Sequence, residues 1–230
     1  MNSENKINLF RKYVEKCSKR NLIVGQGNPC SDILFIGCEP SDNVCNQITF
    51  YNHLFNDNHL ICESSFWDYR DKRSEGWTWN KYQKIINSVF PQREHKVIGK
   101  LDFEECAFTT EMNNEYGKRT KEVNKDSIPS KINLLRESLF IQSFHVVVLG
   151  CYKYIRNVGV GEERQIDNTF NVHFVEEKKI GRRKFWIHHS NDTNKPKLVI
   201  HTSTQLSGAI SNEYLNAIGE TIREFISKLS

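Results

Sequence analysis

Three short runs made wholly of apolar residues constrain this chain most: Ile33-Leu34-Phe35-Ile36, Val146-Val147-Val148-Leu149 and Leu198-Val199-Ile200. Each is too short for a helix and lacks the alternation of a half-solvated strand, so each reads as a strand buried on both faces. Cys106-Ala107-Phe108 reads as a fourth strand. Between them lie stripes at helical spacing. Phe10, Tyr13, Val14 and Cys17 form one, and Trp79, Tyr82, Ile85, Ile86, Val89 and Phe90 form a second that Pro91 stops. Pro129-Ser130 precedes a helix carrying Ile132, Leu135 and Leu139, and the last helix holds Leu215, Ile218, Ile222, Phe225, Ile226 and Leu229. Strands alternating with helices predict an α/β fold: a three-layer α/β/α sandwich around a central, mostly parallel four-stranded sheet. Segments 170–174 and 184–188 predict a hairpin turning near Gly181.

Residues 1–230 make one domain of ordinary size. Hydrophobic residues at 38% and charged residues at 26% fit a globular chain, and no apolar run is long enough to span a bilayer. The N-terminus lacks the apolar stretch of a signal peptide. Seven cysteines without a C-x-x-C pair suggest reduced thiols and a cytoplasmic location. The net charge of +4 decides little by itself. Its distribution says more: Arg182, Arg183 and Lys184 cluster on the predicted hairpin, as do Lys118, Arg119, Lys121 and Lys125 on a loop, and such clusters engage phosphates. Residues 41–76 lack a clear period yet hold Phe50, Tyr51, Phe55, Phe66, Trp67 and Tyr69, an aromatic loop beside the first strand's exit.

Ligands of open α/β sheets bind beyond the strands' carboxyl ends. Two polar loops lie there: Gly37-Cys38-Glu39-Pro40-Ser41, and His201-Thr202-Ser203-Thr204-Gln205-Leu206-Ser207. The first, with the lead-in Gly25-Gln26-Gly27-Asn28-Pro29, resembles the G-x-G-N-P and G-Q-D-P-Y segments of the uracil-DNA glycosylase superfamily. The second resembles that superfamily's H-P-S-P-L-S loop. The resemblance spans roughly residues 17–229, but only these loops are specific.

What it implies is base excision: hydrolysis of the N-glycosidic bond of a flipped-out base to leave an abasic site. The resemblance puts Glu39 at the water-positioning carboxylate and His201 at the donor to the base O2. Cys38, Ser41, Phe50, Glu111 and Asn113 then face the base, with Phe50, Phe66 and Trp67 as stacking candidates. Ser203 and Ser207 meet phosphate, and Leu206 is the wedge that fills the vacated stack. The second loop is one residue longer than the family pattern and has Thr202 in place of proline.

Two further departures bear on substrate. Ser41 stands where the family has the tyrosine that blocks bases substituted at C5. Glu111 stands where an Asn reads uracil, and an ionised carboxylate suits the N4 amino group of cytosine. A protonated one also donates to N3 or O4, and Asn113 is a second candidate for the Asn role. The expected substrate is therefore a C5-modified cytosine, hydroxymethylated or glucosylated, such as protects some phage genomes. Antiphage defence is the implied role, with uracil excision in repair as the alternative. A DNA-binding reader of modified bases is a further reading. A nucleotide-binding protein cradling phosphate at Gly25-Gln26-Gly27 is weaker, because that turn lacks the third glycine and the following helix.

No cofactor is expected. Cys17 alone occupies the region where some superfamily members begin an iron–sulfur motif. Adjacent His188 and His189 point to opposite faces of a strand, against a shared metal with His173. Neither loop contains a lysine, so a Schiff-base lyase step is not indicated. The expected partner is DNA, bound by a monomer, with no membrane.

Overall fold

The structure, a computed structural model, describes residues 2–40, 51–52, 55, 77–93, 101–115, 123–157 and 164–229. Helix α1 (Ser3–Arg20) starts where the Asn2 side chain accepts the Asn5 amide and ends at Asn21, which adopts the left-handed conformation. Then come strands β1 (Gln26–Gly27) and β2 (Ile33–Gly37), helix α2 (Trp77–Val89), and strand β3 (Ala107–Glu111). Helices α3 (Ile128–Glu137) and α4 (Leu139–Gln142) precede strand β4 (Val146–Leu149). Helix α5 (Gln165–Phe170), the hairpin β5 (Val172–Ile180) and β6 (Arg183–Ser190), strand β7 (Leu198–Thr202) and helix α6 (Asn212–Ile226) complete the described chain.

The strands form one sheet in the order β1-β3-β2-β4-β7-β6-β5. Its centre, β3-β2-β4-β7, is parallel throughout and contains the four strands expected from the apolar runs. The four-stranded expectation needs correction: the sheet has seven strands and is mixed, because β1 and the hairpin extend it antiparallel at both sides. The hairpin turns at Gly181, with φ +59°, and its second strand pairs with β7. Left unpaired, β7 would be an exposed edge of apolar residues.

Each central strand is buried on both faces. Leu34, Ile36, Val147, Leu149 and Val199 face a core with Phe10, Tyr13, Leu134, Leu135 and Phe140 of α1, α3 and α4. Ile33, Phe35, Val146, Val148, Leu198 and Ile200 face Tyr82, Ile85, Ile86, Leu215, Ile218 and Ile222 of α2 and α6. Helices thus cover both faces, which is why those runs show no polar alternation. Leu139 departs from its predicted stripe. Ser138 breaks the helix there, its hydroxyl capping α4, and leaves Leu139 68% exposed.

The Gly25 and Gly27 pair is explained by packing. Both have positive φ, and a Cβ at Gly25 would lie 2.1 Å from the Thr109 carbonyl oxygen and one at Gly27 2.4 Å from that of Ala107. These glycines let β1 approach β3, and a backbone pressed against a strand offers no phosphate cradle. After β2 the chain builds β3 on one side and β4 on the other. The carboxyl ends of β2 and β4 therefore flank the switch point where α/β sheets place ligands.

Candidate active site

Residues leaving β2, β3, β4 and β7 meet at this edge. Backbone pairing continues past the strand ends: Met112 N donates to Gly37 O at 3.0 Å, Asn113 N to Cys38 O at 2.9 Å, and Gly150 N to Ile36 O at 2.8 Å. Glu39 is thus carried on a braced segment. Its Oε2 accepts the Tyr154 hydroxyl at 2.8 Å, from the short 3-10 turn that follows β4.

Glu111 ends β3 directly beside Gly37 of β2. Its carboxyl lies over the bare Gly37 Cα, where a Cβ would meet Glu111 Oε2 at 2.1 Å. That oxygen is buried without a hydrogen-bond partner. Burial, and then the negative charge of Glu39, push the Glu111 carboxyl up to about 8, with Lys131 opposing. The Tyr82 hydroxyl is likewise buried and unpartnered, and its ring stacks on Phe35 at 4.2 Å. Lys131 lies behind β3, fully buried, donating to Thr110 Oγ1 at 2.9 Å, Ile23 O at 2.7 Å and Tyr13 Oη at 3.1 Å. Burial lowers its amine to about 8.

His201 is buried at the exit of β7 and stacks on Trp186 of β6, with ring centroids 5.2 Å apart. Its Nε2 lies 2.8 Å from the Tyr152 carbonyl oxygen, an acceptor, so Nε2 carries the proton. Nδ1 is buried without a partner. Burial lowers the imidazole to about 4, so it is neutral near pH 7. The expected donor to a base O2 is therefore already engaged: here His201 holds the loop after β4, where Tyr152 sits at φ +45°. Such a conformation in a residue other than glycine marks local strain. Cys38 is half-buried, with Sγ 3.8 Å from the Gly150 carbonyl.

Several predicted site residues have other placements. Asn113 is buried, and its amide serves the following loop, donating to Asn124 O at 2.7 Å and accepting from Ser127 Oγ at 2.8 Å. Leu206 is 1% exposed and packs on Gly150, so a wedge role requires the loop to lift it from the core. Ser203 is half-buried and accepts the Lys184 amide at 3.1 Å, while Ser207 is exposed. The hairpin cluster divides. Arg182 is exposed at the turn, Lys184 pairs with Glu177 at 2.8 Å, and Arg183 alone of the three has a buried, unpartnered Nη1. Ser41, Phe50, Phe66 and Trp67 lie outside the described residues, as do Lys118, Arg119 and Lys121.

Tyr154, Tyr82, Lys131 and Trp186 were missed from sequence. A signal existed for Tyr154, because Gly150-Cys151-Tyr152-Lys153-Tyr154 follows a predicted strand just as the two chosen loops do.

Among the described residues no group of three His, Cys, Asp or Glu side chains could hold a metal. His188 is bound through Nδ1 to Asp167 Oδ1 at 2.7 Å, while His189 meets the Phe225 ring edge, on opposite faces as expected. Cys30 is disulfide-bonded, which corrects the expectation of wholly reduced thiols, whereas Cys17, Cys38, Cys106 and Cys151 are free. Spacing along the chain carries no record of which thiols approach one another. Among the described residues no helix is long and apolar enough to cross a membrane. Neither a protein-family model nor a curated protein matches this chain.

Proposed function

We propose that this chain is a monofunctional DNA glycosylase that hydrolyses the N-glycosidic bond of a flipped-out pyrimidine, with a C5-modified cytosine as favoured substrate. One observation carries the reading: Glu39 and Glu111 stand at the carboxyl ends of adjoining parallel strands, and burial with mutual repulsion holds Glu111 protonated near pH 7. A carboxyl held protonated beside a second carboxyl suits glycoside hydrolysis. Glu39 stabilises the oxocarbenium-like sugar and orients the attacking water, and its Tyr154 contact fixes the direction of that carboxylate. Neutral Glu111 donates its proton to N3 of the departing cytosine and accepts from the N4 amino group. His201 keeps the Tyr152–Tyr154 turn in place through the Tyr152 carbonyl.

A neutral carboxyl pairs equally with uracil, donating to O4 and accepting from N3–H. Uracil is therefore the second reading, and the small Ser41 is what favours a base carrying a C5 substituent. Removal of hydroxymethylated or glucosylated cytosine would act against phage DNA so protected.

The test is base release from matched duplexes containing uracil, cytosine, 5-hydroxymethylcytosine or its glucosylated form, detected as alkali-labile sites. Release confined to the modified cytosines is expected, and Glu39→Gln lowers it by about 10²-fold or more. Release from uracil alone would make the chain a repair enzyme. Binding without release from any duplex would reduce it to a reader.

A further inference from the structure

We infer that Lys81, Lys84 and Arg183, gathered around the loop Ser203–Gly208, form a contact site for a phosphodiester of the DNA strand. The inference rests on the reading of DNA as ligand and adds a place where its backbone is held. The loop leaves β7 after Thr202, one residue past His201, so it shares the sheet edge with Glu39 and Glu111.

Two elements supply the cations. From α2, the Lys81 amino group donates to the Gly208 carbonyl, and Lys84 Nζ donates to Asn212 Oδ1 at 2.7 Å. From β6 comes Arg183, whose Nη1 is buried without a hydrogen-bond partner and which makes no ion pair among the described residues. A guanidinium N–H buried with no acceptor is uncommon, because its desolvation is uncompensated. Burial lowers the Lys81 amine, and Arg183 and then Lys84 lower it further, so the three charges lie close enough to repel one another.

An anion relieves both strains at once: it accepts from Arg183 and screens the lysines. The surroundings favour one. Ser207 and Gly208 are exposed beside it, and the 15-residue helix α6 begins at Asn212 with its positive end toward the loop. The hairpin is pinned to this place, since Tyr214 donates to the Lys184 carbonyl at 2.8 Å and Ser203 N donates to the same oxygen at 3.0 Å. Several cations on a tetrahedral anion, next to the edge where a base would be hydrolysed, describe a backbone phosphate.

The test is binding of a fluorescein-labelled, unmodified duplex to the full chain, by anisotropy, across a sodium chloride series. The expected result is that Lys84→Gln lowers the slope of log K against log salt by about one. Lys81→Gln with Arg183→Met lowers it by about two and weakens binding about tenfold or more at 100 mM salt. Lys12→Gln, on the exposed face of α1, leaves the slope in place. Arg183→Met is also expected to melt no lower than the wild type, because it removes an uncompensated buried donor. Unchanged slopes in folded variants overturn the inference. So does a wild type that binds no duplex yet is stabilised by millimolar inorganic phosphate through these residues, since the site then takes free phosphate. Reduced slopes without base release from any duplex sink the glycosylase reading and leave this contact site standing.

Discussion

A carboxyl buried without a hydrogen-bond partner is stable only while it keeps its proton. Glu111 Oε2 is in that position, and Glu39, just past the end of the neighbouring strand, increases the cost of ionising the group. The sign of the consequence is definite. Glu111 is raised from 4.5 to about 8 in the folded protein, so its contribution to stability is full below about 4.5 and is lost as pH rises through about 8. Glutamine keeps the shape of the neutral acid and cannot ionise. The difference in urea-unfolding free energy between Glu111→Gln and wild type should therefore shift in favour of the variant as pH rises from 5 to 9. A difference independent of pH would show that Glu111 titrates in the ordinary carboxylate range. Base release, if Glu111 is the proton donor, should fall above about pH 8 in the wild type.

At the scale of elements, the position of α6 decides the site, because the loop Ser203–Gly208 runs into it. Helix α6 is held against α2 by a close crossing at Gly219. A Cβ there would lie 2.4 Å from Ser88 Cβ and 2.8 Å from the Ile85 carbonyl oxygen. Backbone cannot give way as a flexible side chain can, so Gly219→Ala forces the helices apart. We expect a loss of about 1–3 kcal/mol in urea denaturation, despite alanine's better helix propensity. A gain in stability would mean that propensity outweighs the crossing. At Gly37 the neighbour is instead a side chain, and any Cβ there would displace the Glu111 carboxyl.

The whole molecule depends on both faces of the sheet being covered. On one face Phe10 of α1 is the point where elements distant in sequence meet: its ring lies 4.9 Å from Phe140, 5.0 Å from Tyr51 and 5.5 Å from Phe108. Phe10 is fully buried, and rigid rings on several sides leave little room for collapse into a void. Phe10→Ala should cost about 3–5 kcal/mol, measured by chemical denaturation followed by circular dichroism. A cost below about 1 kcal/mol would indicate that α1 docks independently of the sheet. The buried Lys131 bridges α1 and β3 on this face through Tyr13 and Thr110, so loss of α1 contacts reaches the strand that carries Glu111.

The local pattern of residues determined the central strands, the capped or proline-stopped helices and the turn at Gly181, because burial on two faces and backbone conformational limits are written in neighbouring residues. It also located Glu39 and His201, since polar residues at the ends of buried strands fall at a sheet's carboxyl edge, whereas Glu111 was singled out through the family resemblance. Tertiary structure alone decided the rest. That β6 joins β7, so that Trp186 meets His201, depends on a pairing between segments whose own sequences do not specify a partner. The engagement of His201 Nε2 by Tyr152, the burial of Leu206 against Gly150, and the division of the basic hairpin into paired Lys184 and unpaired Arg183 depend on which atoms approach in space. So does the proton on Glu111, because its burial and its distance from Glu39 come from strand order and register.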